Sequence, residues 1–168
     1  MDSATQAVTP GENRRGSGRG SEKGVRRFVA RRSSIHGKGV FANVAMAAGT
    51  RLMEYKGERI TDQQSEELYS DNTTHTFLFM LEDTMVIDGG RNGNTARWIN
   101  HSCEPNCQAE EINGRVFIKA LRDILPGEEL FYDYGLVIDE RMTAKVKKQY
   151  ACHCGSPDCR GTMLSARR

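Results

Sequence analysis

The 168-residue sequence contains no apolar run near the roughly 18 residues that a membrane-spanning helix needs. No apolar h-region stands near its start, so a secretory signal peptide is not expected. No segment repeats at a fixed period, which argues against a solenoid or propeller. Cysteine is also short of what a secreted disulfide framework would use. There are five, an odd number, and they are clustered rather than spread. Close cysteine spacing without a secretory signal suits metal binding better. Residues 1–24 lack apolar bulk: after Met1, Val8 is the only aliphatic side chain larger than alanine. Such a segment cannot bury enough surface to offset the entropy of ordering it, so a disordered tail is expected there.

Net charge is small, +2, but it is unevenly placed. Residues 1–32 hold eight Lys or Arg against Asp2, Glu12 and Glu22, whereas residues 33–168 hold sixteen against nineteen acids. A basic arm therefore precedes a mildly acidic body. The arm reads as a solvated tail able to make weak nucleic-acid contacts. The acidic body suits a basic peptide better than a phosphate backbone.

The length fits one domain with a modest core. Short strand-like runs cover residues 27–31, 39–43, 50–55, 75–81, 85–88 and 130–134. Residues 108–112 and 116–121 flank Asn113-Gly114, the strongest short hairpin signal available. Residues 61–69 read as a helix with Thr61 as N-cap and Gln64 closing a capping box. Residues 139–149 read as a second helix. Many short strands and few short helices predict a mainly β fold without a large parallel sheet.

Cys152, Cys154 and Cys159 place three thiols within eight residues of a turn-rich segment holding Gly155, Pro157 and Gly161. A tetrahedral zinc would need one more ligand. Cys103 and Cys107 are candidates, and His153 is a third. Four thiolates would make a closed structural site, and metal binding would be linked to the ordering of this short polar segment.

Several motifs then stand in order: His36-Gly37-Lys38-Gly39-Val40-Phe41, Glu54-Tyr55-Lys56-Gly57-Glu58, Arg97-Trp98-Ile99-Asn100-His101-Ser102-Cys103-Glu104-Pro105-Asn106, and Gly127-Glu128-Glu129-Leu130-Phe131-Tyr132-Asp133-Tyr134-Gly135. With the terminal cysteines they resemble, across residues 26–164, the SET-domain protein-lysine methyltransferases. The resemblance implies a β-clip of small sheets with a C-terminal pseudoknot. It divides the chain into a tail (1–24), a SET domain (25–138) and a post-SET zinc knuckle (139–168), with no pre-SET cluster. Residues 59–85 correspond to the variable insert that helps select substrate.

The implied reaction moves a methyl group from S-adenosylmethionine to a lysine ε-amine of a basic protein tail, histone or histone-like. The implied location is intracellular, nuclear in a eukaryote and cytoplasmic or host-delivered in a bacterium. By the same resemblance, Tyr134 is the catalytic tyrosine, Tyr132 bears on methylation state and favours mono- or dimethylation, and Tyr55 lines the lysine channel. His36, Gly37, Lys38, Gly39, Phe77, Arg97, Asn100, His101 and Leu164 form the cofactor set. Phe77 departs from the tyrosine that relatives often carry, and so removes one hydroxyl contact. Cys103 is implied as the fourth zinc ligand beside Cys152, Cys154 and Cys159, leaving Cys107 spare. The competing reading is an inactive SET-fold module that binds peptide without chemistry. It would be expected to lose Tyr134, Asn100 or His101, and all three are present.

Overall fold

The computed structural model describes residues 26–69, 77–138, 141 and 143–165. The tail expected over residues 1–24 lies outside them. Within the described residues the architecture is a set of four small sheets with two short helices. Strands β1 (Phe28–Arg32) and β2 (Lys38–Ala42) form an antiparallel hairpin. Strand β3 (Arg51–Tyr55) joins β8 (Cys107–Ile112) and β9 (Arg115–Ala120) in the order β3-β9-β8. Strands β4 (Glu58–Thr61), β5 (Leu78–Met80) and β6 (Met85–Asp88) form a third sheet with β6 central. The fourth pairs β7 (Asn100–His101) with β10 (Phe131–Tyr132) in parallel.

Local chemistry accounts for most of these elements. Asn113 and Gly114 both adopt positive φ, +52° and +69°, as the turn of a tight β8–β9 hairpin requires. Along β9, Val116, Ile118 and Ala120 face inward at period two and are buried. Helix α1 (Asp62–Tyr69) carries the expected capping box: the Thr61 amide donates to Gln64 Oε1 at 2.9 Å and the Gln64 amide to Thr61 Oγ1 at 3.1 Å. Helix α2 (Ala144–Gln149) starts later than the residues 139–149 expected, because Thr143 Oγ1 accepts the Val146 amide at 3.2 Å and so caps the helix there. Residues 139, 140 and 142 lie outside the described set.

Two other expectations differ in extent. The run over 75–81 is a strand only at Leu78–Met80, since the Leu81 amide turns to the Met85 carbonyl at 2.8 Å and closes the β5–β6 connection. Residues 75 and 76 are outside the described set. The run over 130–134 pairs only at Phe131–Tyr132, because the Tyr134 amide leaves the ladder for a side-chain acceptor, His101 Nδ1. Strands β4 and β7 and a 3-10 turn at Thr95–Trp98 were not expected, being too short to show a period.

The main apolar cluster draws on Val40, Leu52, Ile99, Val116, Ile118, Ile124 and Leu130, with Tyr55 and Tyr132 among its buried members. It lies beneath the 95–99 turn and so fixes the base from which β7 emerges. No helix among the described residues is long and apolar enough to cross a membrane.

Candidate functional site

The site is built where β7 runs beside β10. The Ser102 amide extends this pairing by donating to the Tyr132 carbonyl at 3.2 Å. Asn106, itself buried, holds the β10 side in place. Its Nδ2 donates to the Glu129 carbonyl and its Oδ1 accepts the Phe131 amide, both at 2.8 Å.

Asn100 reaches from β7 to the loop before β2. Its Nδ2 donates to the Lys38 carbonyl at 2.9 Å, the His36 carbonyl at 3.3 Å and Glu129 Oε1 at 2.9 Å. Glu129 also accepts the Ser33 hydroxyl at 3.0 Å, and Ser33 Oγ in turn accepts the Ile35 amide at 3.0 Å. One carboxylate thereby ties β10 to both ends of the 33–39 loop. A Cβ at Gly39 would push the Glu129 carboxyl group out of this network. Lys38 lays its ammonium 4.7 Å from the Trp98 ring centre. Phe77 meets the same ring edge-on at 4.9 Å, and the Arg97 guanidinium lies over both. Arg97 donates from Nη1 to the Gly89 carbonyl at 3.0 Å, while its buried Nε has no partner among the described residues. His36 to Gly39, Phe77, Arg97 and Asn100 are thus brought to one region. Leu164 is fully buried beside Leu136, outside the main apolar cluster.

Three tyrosines converge next to it. The rings of Tyr132 and Tyr134 are 4.9 Å apart. Tyr134 donates its hydroxyl proton to the Ile99 carbonyl at 2.9 Å, and Tyr55 donates its own to the Phe77 carbonyl at 2.8 Å. Burial pushes all three phenols above their ordinary range, and the proximity of Tyr134 raises Tyr55 and Tyr132 further. They are therefore held as neutral hydroxyls.

His101 is 5% exposed and both of its ring nitrogens are engaged. Nδ1 accepts the Tyr134 amide at 3.1 Å and lies 3.5 Å from Asp133 Oδ1, while Nε2 stands 3.4 Å from Cys103 Sγ. Burial pushes the imidazole below its ordinary pKa, against the pull of Asp133. Asp133 in turn is clamped by Arg160, whose Nη1 and Nη2 meet its two carboxylate oxygens at 2.6 and 2.8 Å.

The Sγ atoms of Cys103, Cys152, Cys154 and Cys159 all lie within 4.8 Å of one another. A tetrahedron with Zn–S bonds of about 2.3 Å has sulfurs roughly 3.8 Å apart. The Cys103–Cys152 separation of 3.7 Å matches it. Main-chain amides of Arg160 and Gly161 point at Cys103 and Cys159 sulfur, each at 3.4 Å. The donor set therefore fits a closed structural metal site. Cys107 is buried in the core on β8, and burial pushes its thiol up to about 12. His153 is exposed. Neither belongs to the four-sulfur group, which brings Cys103 and not Cys107 beside the three later cysteines.

Glu129, Ser33, Asn106, Asp133 and Arg160 were not singled out from sequence. Glu129 and Asp133 lie inside the quoted Gly127–Gly135 motif, yet nothing in a motif says which carboxylate turns inward. Asp88, fully buried, is another: it accepts the Tyr69 hydroxyl at 2.6 Å and the Gly90 amide at 2.8 Å, anchoring α1 beside Gly89. An open cleft of about 520 Å³ lies beyond Ser102, lined by Glu104, Asn106, Glu129, Cys154 and Ser156 but by none of the tyrosines.

Residues 37–135 match the SET domain family. The chain is 40% identical over 147 residues to a histone-lysine N-methyltransferase of Oryza sativa subsp. japonica, covering 82% of this chain and 14% of that relative. It is 38% identical over 136 residues to histone-lysine N-methyltransferase 2B of Homo sapiens, covering 77% and 5%. It is also 38% identical over 138 residues to the H3 lysine-4 specific histone-lysine N-methyltransferase of Saccharomyces cerevisiae, covering 77% and 12%. The chain thus spans a small part of the length of the curated relatives it matches.

Replacing Glu129 by alanine removes the acceptor shared by Ser33 and Asn100. Hydrogen bonds to a charged group are worth about 1.5–3 kcal/mol each. Urea unfolding of Glu129→Ala is expected to show a loss of at least that size, and a smaller loss for Glu129→Gln.

Proposed function

The chain belongs to the SET-domain family, and from that premise we propose that it transfers a methyl group from S-adenosylmethionine to the ε-amine of a lysine on a histone or histone-like tail. The observation that carries this reading is the phenol arrangement. Tyr134 and Tyr55 each commit the hydroxyl proton to a main-chain carbonyl, of Ile99 and of Phe77. A phenol whose proton is so used offers only lone pairs to whatever lies between the rings. Two such oxygens suit a carbon that carries partial positive charge, and they disfavour a hydroxyl or thiol nucleophile.

S-adenosylmethionine, when bound, supplies a methyl on a positively charged sulfur. That methyl would pass to the neutral lysine nitrogen, with the thioether as leaving group and the surplus proton lost to water. Tyr134 and Tyr55 hold oxygen dipoles where positive charge passes from sulfur to nitrogen. Burial around Tyr55, Tyr132 and Tyr134 favours the neutral amine that the attack needs. Alignment of nitrogen, carbon and sulfur in a narrow channel supplies the rest. Tyr132 has no hydrogen-bond partner for its hydroxyl among the described residues, so it is free to hold a water against the amine. We assign mono- or dimethyl-lysine as the product on that ground. The 36–39 loop, Phe77, Arg97 and Asn100 form the cofactor cradle in this reading, and Leu164 closes it from the C-terminal side. Zinc is held by the four cysteines and does no chemistry. The histone names of the relatives make a histone H3 tail the first substrate to test, and support a chromosomal site of action in a eukaryote.

Labelled methyl donor incubated with histones and read by mass spectrometry is expected to place label on lysine. Tyr134→Phe should fold normally and lose about 100-fold in rate, on the scale of one lost transition-state dipole. Peptide binding with no label transfer by the unsubstituted chain would favour the inactive module instead.

The phenols are raised by burial, so they keep their protons at pH values where an exposed tyrosine, near 10, begins to ionise. Methyl transfer should therefore climb with pH as the substrate lysine deprotonates. No descending limb from Tyr134 is expected below about pH 10. A fall beginning near pH 8 would remove Tyr134 from that role.

Elemental analysis should find one zinc per chain. Stripping it with a chelator is expected to weaken methyl-donor binding and activity together, because the knuckle that carries Leu164 loses its anchor. Unchanged donor affinity in the stripped chain would sink that coupling.

A further inference from the structure

The buried side chain of His101 meets both the cysteine cluster, at Cys103, and the ring of Tyr134. Two of the chemical facts about that imidazole are fixed by its neighbours. The Tyr134 amide is a donor, so the Nδ1 it meets at 3.1 Å must present a lone pair. A neutral imidazole then carries its proton on Nε2, and Nε2 faces Cys103 Sγ at 3.4 Å. The residue is 5% exposed, so bulk water competes little for either nitrogen.

On the proposed reading that the four thiolates hold zinc and Tyr134 serves methyl transfer, we infer that His101 is a positioning residue: it donates Nε2–H to the metal-bound Cys103 sulfur and, through Nδ1, holds the Tyr134 amide and with it the phenol. Four thiolates around a divalent cation leave a surplus of negative charge, which N–H donors offset. The amides of Arg160 and Gly161 supply two such donors and His101 supplies a third, the one that comes from a side chain. Its other nitrogen is the acceptor that draws the Tyr134 amide out of the β10 ladder. Tyr134 is then held at two points, amide to His101 and hydroxyl to the Ile99 carbonyl. Ile99 and Tyr134 stand on the two segments that the β7–β10 pairing brings together. The rings of His101 and Tyr134 also touch edge to face, 5.3 Å between centres, so a rotation of one displaces the other. This gives the imidazole a different task from the cofactor contact suggested by family resemblance, since neither nitrogen is left to face a ligand.

The test separates the two ends of the ring. His101→Asn keeps an acceptor near the Nδ1 position and loses the donor to sulfur. His101→Gln keeps a donor near the Nε2 position and loses the acceptor. Each full-length chain is loaded with Co2+ in place of zinc, and the thiolate-to-cobalt charge-transfer band is recorded. Loss of an N–H donor raises the energy of the sulfur lone pairs. The band should therefore move to longer wavelength in His101→Asn, with metal held about 10-fold less tightly, and stay in place in His101→Gln. His101→Gln, which loses the acceptor for the Tyr134 amide, should lower kcat about 10-fold, on the scale of a lost outer-shell partner, and His101→Asn, which keeps it, should lower kcat less, with the KM for methyl donor unchanged in both. A band that forms and does not move in His101→Asn overturns the inference while leaving the zinc assignment intact. So does a raised donor KM at unchanged kcat, which would return His101 to the cofactor. No thiolate–cobalt band in the unsubstituted chain overturns the zinc assignment and the inference with it. In the unsubstituted metal-loaded chain, nitrogen-edited proton spectra should show a slowly exchanging proton on His101 Nε2. A proton on Nδ1 instead overturns the relay however the variants behave.

Discussion

The parallel pairing of Asn100–His101 with Phe131–Tyr132 commits main-chain hydrogen bonds to joining two stretches that no tight turn can connect. Everything functional hangs from that pairing. One strand sends Asn100 to the 36–39 loop and leads to Cys103 in the four-sulfur cluster. The other sends Glu129 to the same loop and Tyr134 to the carbonyl before Asn100. A two-residue parallel ladder is weak alone, and here it is reinforced by side chains. Asn106 grips the start of β10 and His101 catches the amide just past its end.

These reinforcements make the region a single polar network rather than a set of separate sites. Glu129 holds the loop end, His101 the tyrosine end, and the Asp133–Arg160 pair the knuckle end. Partly satisfied polar networks are costly in a low-dielectric interior, whereas complete ones specify one arrangement. Most members here find partners in neighbouring members. Among the described residues the buried Nε of Arg97 is the exception, and it lies in the region assigned to the cofactor.

Much of the fold was legible because the local signals were strong. Asn113-Gly114 could sit only in a tight hairpin turn, and Thr61 with Gln64 could only start a helix. Val116, Ile118 and Ala120 alternate as a half-buried strand must. Elements of two to four residues left no such signature. Strand β7 has no period to read, and the end of β10 depends on an acceptor contributed by a residue far away in the chain.

The sequence by itself determined the chemistry that is present: three clustered cysteines with two more upstream, three tyrosines in recognisable motifs, a glycine-bearing loop and an Asn-His pair. Those are properties of residue type and spacing, which a linear chain carries openly. Only the tertiary structure decided which of them meet. Spacing left Cys103 and Cys107 open as fourth ligand, with His153 a third candidate turned away by its flanking cysteines, and folding buried Cys107 in the core while bringing Cys103 to the other sulfurs. Resemblance made His101 a cofactor contact, and folding turned both of its nitrogens to protein partners. The reason is the same in each case. Burial and hydrogen-bond pairing are set by segments distant in sequence, so the direction a side chain faces is a property of the assembled fold.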